Sequence, residues 1–363
     1  ESRGVWIMAY TTIDDPSAYF KVKAYAGDGN DGHAITFDDT DTNMQPDLVW
    51  MKGRTFDDNH TLYDSVRGAN KYLHPDTNSQ EYTNASPNFG VKSFDSDGFT
   101  LGQWSALNRS SENHIAWCWK TQGGAGSSNE AGSINTTSTS VNTTSKLSIS
   151  TYTGTGSAAT IGHGLGAVPH WIMCKERGGA GDWVCYHHKN TSAPETDVLE
   201  LNNTTATADN DGMWNDTAPT STLITLGGSA VLNNSSDTYV CYAWSSVQGF
   251  SKFGSYTGNG NADGAFVYTG FRPAFFIIKR TDSTASWVIF NNKTSPQNDA
   301  STEALWVNAS SDEGAYTTVD FISNGVKIRD SSATINADGG TYMYMAWAEA
   351  PFVNSNGVPC NAR

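Results

Sequence analysis

Lys52, Lys175 and Lys279 each stand six residues after a proline, at Pro46, Pro169 and Pro273, and an arginine follows each at Arg54, Arg177 and Arg280. Three recurrent basic pairs could receive an anionic ligand. The plainer reading is preferred: exposed strand ends paired with some of the 37 Asp and Glu, an arrangement of small energetic worth. Loop aromatics offer a second chemistry, because sugars stack on exposed Trp and Tyr faces. Trp214 follows Asp211-Gly212 and Tyr316 follows Glu313-Gly314, so they are equivalents in two parts of the chain, whereas Trp104 has no evident counterpart and is the better candidate for a ligand contact. The acidic stretches from Asp38 to Asn43 and from Asp209 to Gly212 could offer oxygen ligands to calcium. Neither has the glutamate that closes an EF-hand loop, so solvated turns are the better reading and no metal residue is assigned. The sequence holds no Gly-x-Ser-x-Gly elbow, no His-Glu-x-x-His and no Glu-x-Asp-x-Glu strand that would set two carboxylates on one face. His163, His187 and His188 have acidic neighbours, as eight histidines among 37 acids will by chance, and no catalytic residue is assigned.

The elements that carry these residues are built three times. A Tyr-x-Gly-x-Gly motif, the Pro and Lys already noted, and a closing Trp occur as Tyr25, Gly27, Gly29 and Trp119, as Tyr152, Gly154, Gly156 and Trp244, and as Tyr256, Gly258, Gly260 and Trp347. From Pro to closing Trp the spans are 73, 75 and 74 residues, which marks a repeated unit of about one hundred residues. A residue kept by three copies must serve what all three share, which is the fold. The glycines are expected to permit positive φ in a turn and the prolines to set the entry into a strand.

Composition and pattern point to an all-β chain of three tandem antiparallel β-sandwich repeats. Charged residues are 16% and aromatics 12%, with Ser, Thr, Asn and Gly filling much of the rest, a mixture suited to short strands and many turns. Units are expected at residues 9–120, 146–248 and 249–350, with an extension at 1–8, a flexible linker of small polar residues at 121–145 and a tail at 351–363. The absence of a linker between the last two units implies that those two are coupled. Asp97-Gly98 and Asn324-Gly325 mark tight hairpins. In the final strand Tyr342, Tyr344 and Ala346 face one way and Met343, Met345 and Trp347 the other, so both faces need a cover, which another repeat or another subunit would supply. That surface, with the polar arm, leads to an expectation of homo-oligomers.

The net charge of −15 argues against a nucleic-acid partner, and no apolar run reaches the length of a membrane-spanning helix. Residues 1–7 hold too short an apolar core for a signal peptide. Four of the five cysteines, Cys118, Cys174, Cys185 and Cys241, occupy positions that are apolar in other copies and read as small core residues rather than disulfides.

The stretches YTTIDDP from Tyr10, PDLVW from Pro46, DSVRGA from Asp64, SFDSDGF from Ser93, FGSYTGNG from Phe253 and YTGFRP from Tyr268 resemble repeated-domain virion proteins of tailed, especially marine, bacteriophages. The resemblance runs from Met8 to Arg363. It implies a concanavalin-like or SPRY-like sandwich (in jelly-roll terms, two facing sheets) and a non-enzymatic structural role on the particle surface, as a tail-fibre-like appendage or capsid decoration. Partners would be the protein itself, other virion proteins and, in a lectin-like alternative, host surface glycans; a polysaccharide-degrading enzyme is the remaining alternative. The resemblance carries no catalytic or binding residue and no cofactor.

Overall fold

The central strands are apolar on both faces, and the computed structural model, which describes residues 9–37, 42–294, 303–315 and 317–360, gives each face its own core. Three large antiparallel sheets share a spatial order. In the first, the opening strand Phe20–Ala26 lies beside the closing strand Asn113–Trp119, then Leu48–Gly53, Thr61–Asp64 and Lys71–Leu73. The second runs Leu147–Thr153, Thr238–Trp244, Trp171–Glu176, Val184–His187 and Asp197–Glu200, and the third Ser251–Thr257, Thr341–Pro351, Phe271–Arg280, Val288–Asn291 and Leu305–Trp306. Register repeats as well as order. The closing tryptophans face Phe20, Leu147 and Ser251 on one side and Leu48, Trp171 and Phe275 on the other. Helices are single turns such as Ser105–Asn108 and Ala333–Asn336.

One face of each large sheet is covered by a small sheet of its own unit. His33–Thr36, Gly98–Leu101 and Val91–Asp95 cover the first, Ala159–Gly162 and Leu223–Leu226 the second, and Phe266–Tyr268, Gly325–Ile328 and Val319–Ile322 the third. The other faces of all three large sheets meet in a single central core that includes Trp50, Trp117, Trp171, Met173, Phe275 and Met345. Trp244 packs edge-on against Trp119 and Trp347 there, with ring centroids 6.3 and 6.1 Å apart. Period-two alternation thus sends Tyr342, Tyr344 and Ala346 to the outer core of unit three and Met343, Met345 and Trp347 to the shared core. The cover is the other repeats of the same chain, and the first unit is as much a part of the body as the last two. Among the described residues, both faces of these doubly apolar strands are thus covered within the chain.

Two local expectations change. Residues 121–145, expected as a flexible linker, are folded onto the body: Ser138–Asn142 pairs with Leu147–Thr153 at the edge of the second large sheet, and Ile134 N donates to Thr160 O on its small sheet at 2.9 Å. With little to bury, this segment is held by hydrogen bonds instead. Thr121 N, Gly123 N and Gly124 N point at the buried Asp47 carboxylate at 2.8, 3.1 and 3.1 Å, and Thr121 Oγ1 lies 2.6 Å from Ser140 Oγ. The hairpins form one residue earlier than expected, with Ser96-Asp97 and Ser323-Asn324 as turns, because Asp95 already faces Gly98 and Ile322 faces Gly325. Those glycines allow close packing instead: a Cβ would lie 2.0 Å from Ile35 O at Gly98 and 2.3 Å from Val267 O at Gly325.

Candidate functional site

The glycine motif closes each unit on itself. Gly29, Gly156 and Gly260 have φ of +74, +77 and +64°, the left-handed region that favours glycine. The first glycine has a different task. A Cβ on Gly27, Gly154 or Gly258 would sit 2.2, 2.2 or 2.3 Å from Arg109 O, Asn234 O or Ala337 O, so the loop can touch the helical turn before the closing strand only if no side chain is there. That turn ends in a fully buried asparagine in every unit, Asn108, Asn233 and Asn336. Asn233 Oδ1 accepts from Thr155 N at 2.8 Å while its Nδ2 donates to Ser157 O and Gly227 O at 2.6 and 3.0 Å. Asn108 and Asn336 accept in the same way from Asp28 N and Asn259 N at 2.9 and 3.0 Å. The motif tyrosines add hydroxyl bonds to Leu107 O, Leu232 O and Ile335 O at 2.9, 2.7 and 2.6 Å. Sequence reasoning missed these asparagines among many others. The available signal is a Leu-Asn or Ile-Asn pair whose Asn lies eleven residues before each closing Trp.

The recurrent lysines are fully buried rather than exposed, and two of them, Lys52 and Lys279, bond across seams between units. Lys52 Nζ donates to Gly53 O at 3.0 Å and across the seam to Ser310 O at 3.1 Å; Lys279 Nζ donates to Ala285 O at 2.7 Å and across to Thr204 O at 3.1 Å. Lys175 stays within its unit, on Glu176 O at 2.8 Å. Burial pulls Lys175 and Lys279 down to about 8 and lowers Lys52 as well. Eight residues after each lysine a ring nitrogen reaches the next unit: Trp183 Nε1 donates to His74 O at 2.9 Å, Trp287 Nε1 to Glu200 O at 3.0 Å, and His60 Nε2 to Trp306 O at 3.0 Å. His60 Nδ1 accepts from Trp50 Nε1 at 3.0 Å, which puts its proton on Nε2 and makes it the stand-in for the two tryptophans. Backbone bonds repeat the pattern, with Glu81 N on Arg177 O, Thr207 N on Thr281 O and Glu313 N on Arg54 O. Unit two thus grips one, three grips two, and one grips three. Arg54 and Arg177 face carboxylates of the neighbouring unit, Glu313 at 2.6 Å and Glu81 at 2.8 Å, while Arg280 pairs with Asp282 in its own unit. The basic pairs serve these seams and stabilise the ring.

The other sequence candidates do not come together. Trp214 is 1% exposed in the outer core of unit two, 5.9 Å from Tyr186, and cannot meet a ligand, because its small-sheet and large-sheet neighbours enclose it. Trp104 is half-buried, with its ring stacked on Phe89 at 4.6 Å and tilted against Tyr72 at 4.7 Å. It does have counterparts: it precedes Ser105–Asn108 as Ser229 and Ser332 precede the equivalent turns. Tyr316 and residues 38–41 of the first acidic stretch lie outside the described residues. In the second, Asn210 caps the turn Asp211–Trp214 by accepting from Gly212 N at 3.1 Å. Among the described residues no three His, Cys, Asp or Glu are grouped to hold a metal ion. His163 is buried, accepts from Leu165 N at 3.2 Å, and is pushed down to about 4 by burial. His187 and His188 donate across the seam to Tyr344 O and Phe253 O at 3.3 and 2.9 Å.

Surfaces open to a ligand include a cleft of about 700 Å³ on unit one, lined by Asn70, Asn84, Ser86 and Lys92, and an exposed aromatic pair on unit three. Phe266 and Tyr268, on the same face of an edge strand, are 48% and 47% exposed. By register their equivalents are Ala34 and Thr36 in unit one and Thr160 and Gly162 in unit two, so the pair is peculiar to this unit. A cleft of about 580 Å³ also opens where units two and three meet, between Lys189, Asn190, Thr191, Thr257, Asp282 and Thr341. Its polar groups are mainly hydroxyls and amides, and Asp282 is the one carboxylate among its lining residues, so it offers hydrogen bonds rather than a pair of acids.

A family model described as a domain of unknown function, DUF7483, matches residues 15–351, a span that runs through all three sandwiches. No curated protein and no solved structure matches the chain.

Proposed function

This chain belongs to the DUF7483 family, and we propose that it is a non-enzymatic structural protein of a bacteriophage particle, displayed as a tail-fibre-like appendage or a surface decoration. The observation that carries this reading is where the repeated residues are spent. Tyr, both glycines and Asn close each unit, Lys52, Lys279 and the ring donors join the units, and Trp fills the shared core, so the shared chemistry serves a rigid body. The likeness of the motifs to virion proteins supports the same reading. Mass spectrometry of purified particles should find the chain in stoichiometric amount with other virion proteins; particles that lack it would contradict the proposal.

A lectin-like reading is favoured by one specific observation, the exposed pair Phe266 and Tyr268 on an edge strand of unit three. Two aromatic faces on one edge strand suit the apolar patches of a sugar, or a neighbouring virion protein. Glycan-array binding that is lost on Phe266→Ala would support it, and an empty array would leave the structural role alone. Homo-oligomers are part of this proposal, and exposed surfaces of this kind are the contacts we assign to them, since the described apolar faces of the large sheets are covered within the chain.

A further inference from the structure

Cys174 and Cys241 face each other directly across the strands Trp171–Glu176 and Thr238–Trp244, with their Sγ atoms 2.7 Å apart. Arg177 N donates to Thr238 O in the same register, and hydrogen-bonded pairs alternate with non-hydrogen-bonded ones, so Cys174 and Cys241 form a non-hydrogen-bonded pair. Side chains are closest in such pairs, within the Cα separation that a disulfide bridges. Parity removes every competitor. Both thiols point into the outer core of unit two, Cys185 of the same unit points into the central core, Cys118 lies in the outer core of unit one, and Cys360 is exposed on the tail. The pairing is also peculiar to this unit: the equivalent partners are Met51 with Ala116 and Ile278 with Tyr344.

We propose that Cys174 and Cys241 are joined by a cross-strand disulfide when the chain folds in an oxidising medium. The oxidant is a low-molecular-weight disulfide such as oxidised glutathione. One cysteine thiolate attacks it and expels a thiolate; the second attacks the mixed disulfide at the protein sulfur and expels the other. The two cysteines together give up two electrons and two protons, and the small disulfide departs as two thiols. Both sulfurs are buried, and burial pushes the Cys174 thiol well up, so exchange runs before the small sheet closes over unit two. Once formed, the bond is shielded from reductants by the same cover.

The test refolds the full chain in a mixture of reduced and oxidised glutathione, then unfolds it without reductant, alkylates it and measures the intact mass and peptide map. Three of the five cysteines should take up alkyl groups and one linked peptide pair should join Cys174 to Cys241. Five alkylated cysteines, or a link through Cys118, Cys185 or Cys360, would overturn the proposal. Cys174→Val, which keeps an apolar side chain at that position, should leave all four remaining cysteines alkylated; a link that persists in it would also overturn the proposal. The count on the unmodified chain stands by itself if that variant does not fold.

Discussion

The closing tryptophans of units one and three, Trp119 and Trp347, pack edge to face with ring centroids 5.3 Å apart, although 228 positions separate them in the chain. Each stands in the closing strand of its own unit, and the three closing strands meet at the shared core. Trp347→Ala should therefore cost about 3–5 kcal/mol, as large-to-small changes in a packed core do, and should destabilise all three units together. Urea denaturation followed by tryptophan fluorescence and by far-UV circular dichroism would show one shifted transition in both signals.

Asn233→Ala should be out of proportion to its size. It strands Thr155 N, Ser157 O and Gly227 O in a buried corner, and a loss on the order of 2–4 kcal/mol is expected from several unsatisfied groups. Asn356→Ala on the exposed tail should change stability by less than about 0.5 kcal/mol. Midpoints of urea unfolding for the two variants give the comparison directly.

Gly154→Ala should be poorly tolerated, since its Cβ would meet a backbone oxygen at 2.2 Å. Gly178→Ala, with open space around it and ordinary φ, should leave the midpoint unchanged or slightly raised. Equal effects at the two sites would remove the packing explanation of the first motif glycine.

How far the sequence reveals this depends on the range of each interaction. Tyr152, Gly154 and Gly156 are legible as a turn because positive φ is a local demand, but Asn233, which holds that turn, lies almost eighty residues on and resembles the many other asparagines. Alternation in the strand from Thr341 shows that both faces need cover, yet the identity of the cover is a property of the whole ring. Lys52 and Lys279 misled for the same reason: a lysine at a strand end is ordinarily exposed, and carbonyls of another unit, Ser310 O and Thr204 O, help to make burial tolerable. The order of residues 121–145 was hidden because hydrogen bonds to Asp47 leave no apolar pattern.

Stability should vary with pH in a shape set by buried groups. Lys175 and Lys279 ionise near 8 in the fold against an ordinary value of 10.5, so between those limits the unfolded chain holds protons that the folded chain has released, and stability rises with pH. Burial raises Tyr152, Tyr242 and Tyr256 well above 10, so above that value the unfolded chain loses protons that the fold retains and stability falls. On the acid side, burial holds His114 and His163 at about 4, so stability is lost as pH drops from the ordinary 6.5 towards 4. Urea midpoints across this range should peak at about pH 9–10, and Lys279→Met should flatten the rise that begins near pH 8.

Hydrogen exchange measured by mass spectrometry across a urea series tests the closed ring most directly. The closing strands Asn113–Trp119, Thr238–Trp244 and Thr341–Pro351 should lose protection at one urea concentration, because they share a core and each seam depends on the other two. Loss of protection in Asn113–Trp119 at distinctly lower urea than in the other two strands would contradict the ring and return unit one to the status of a separate domain.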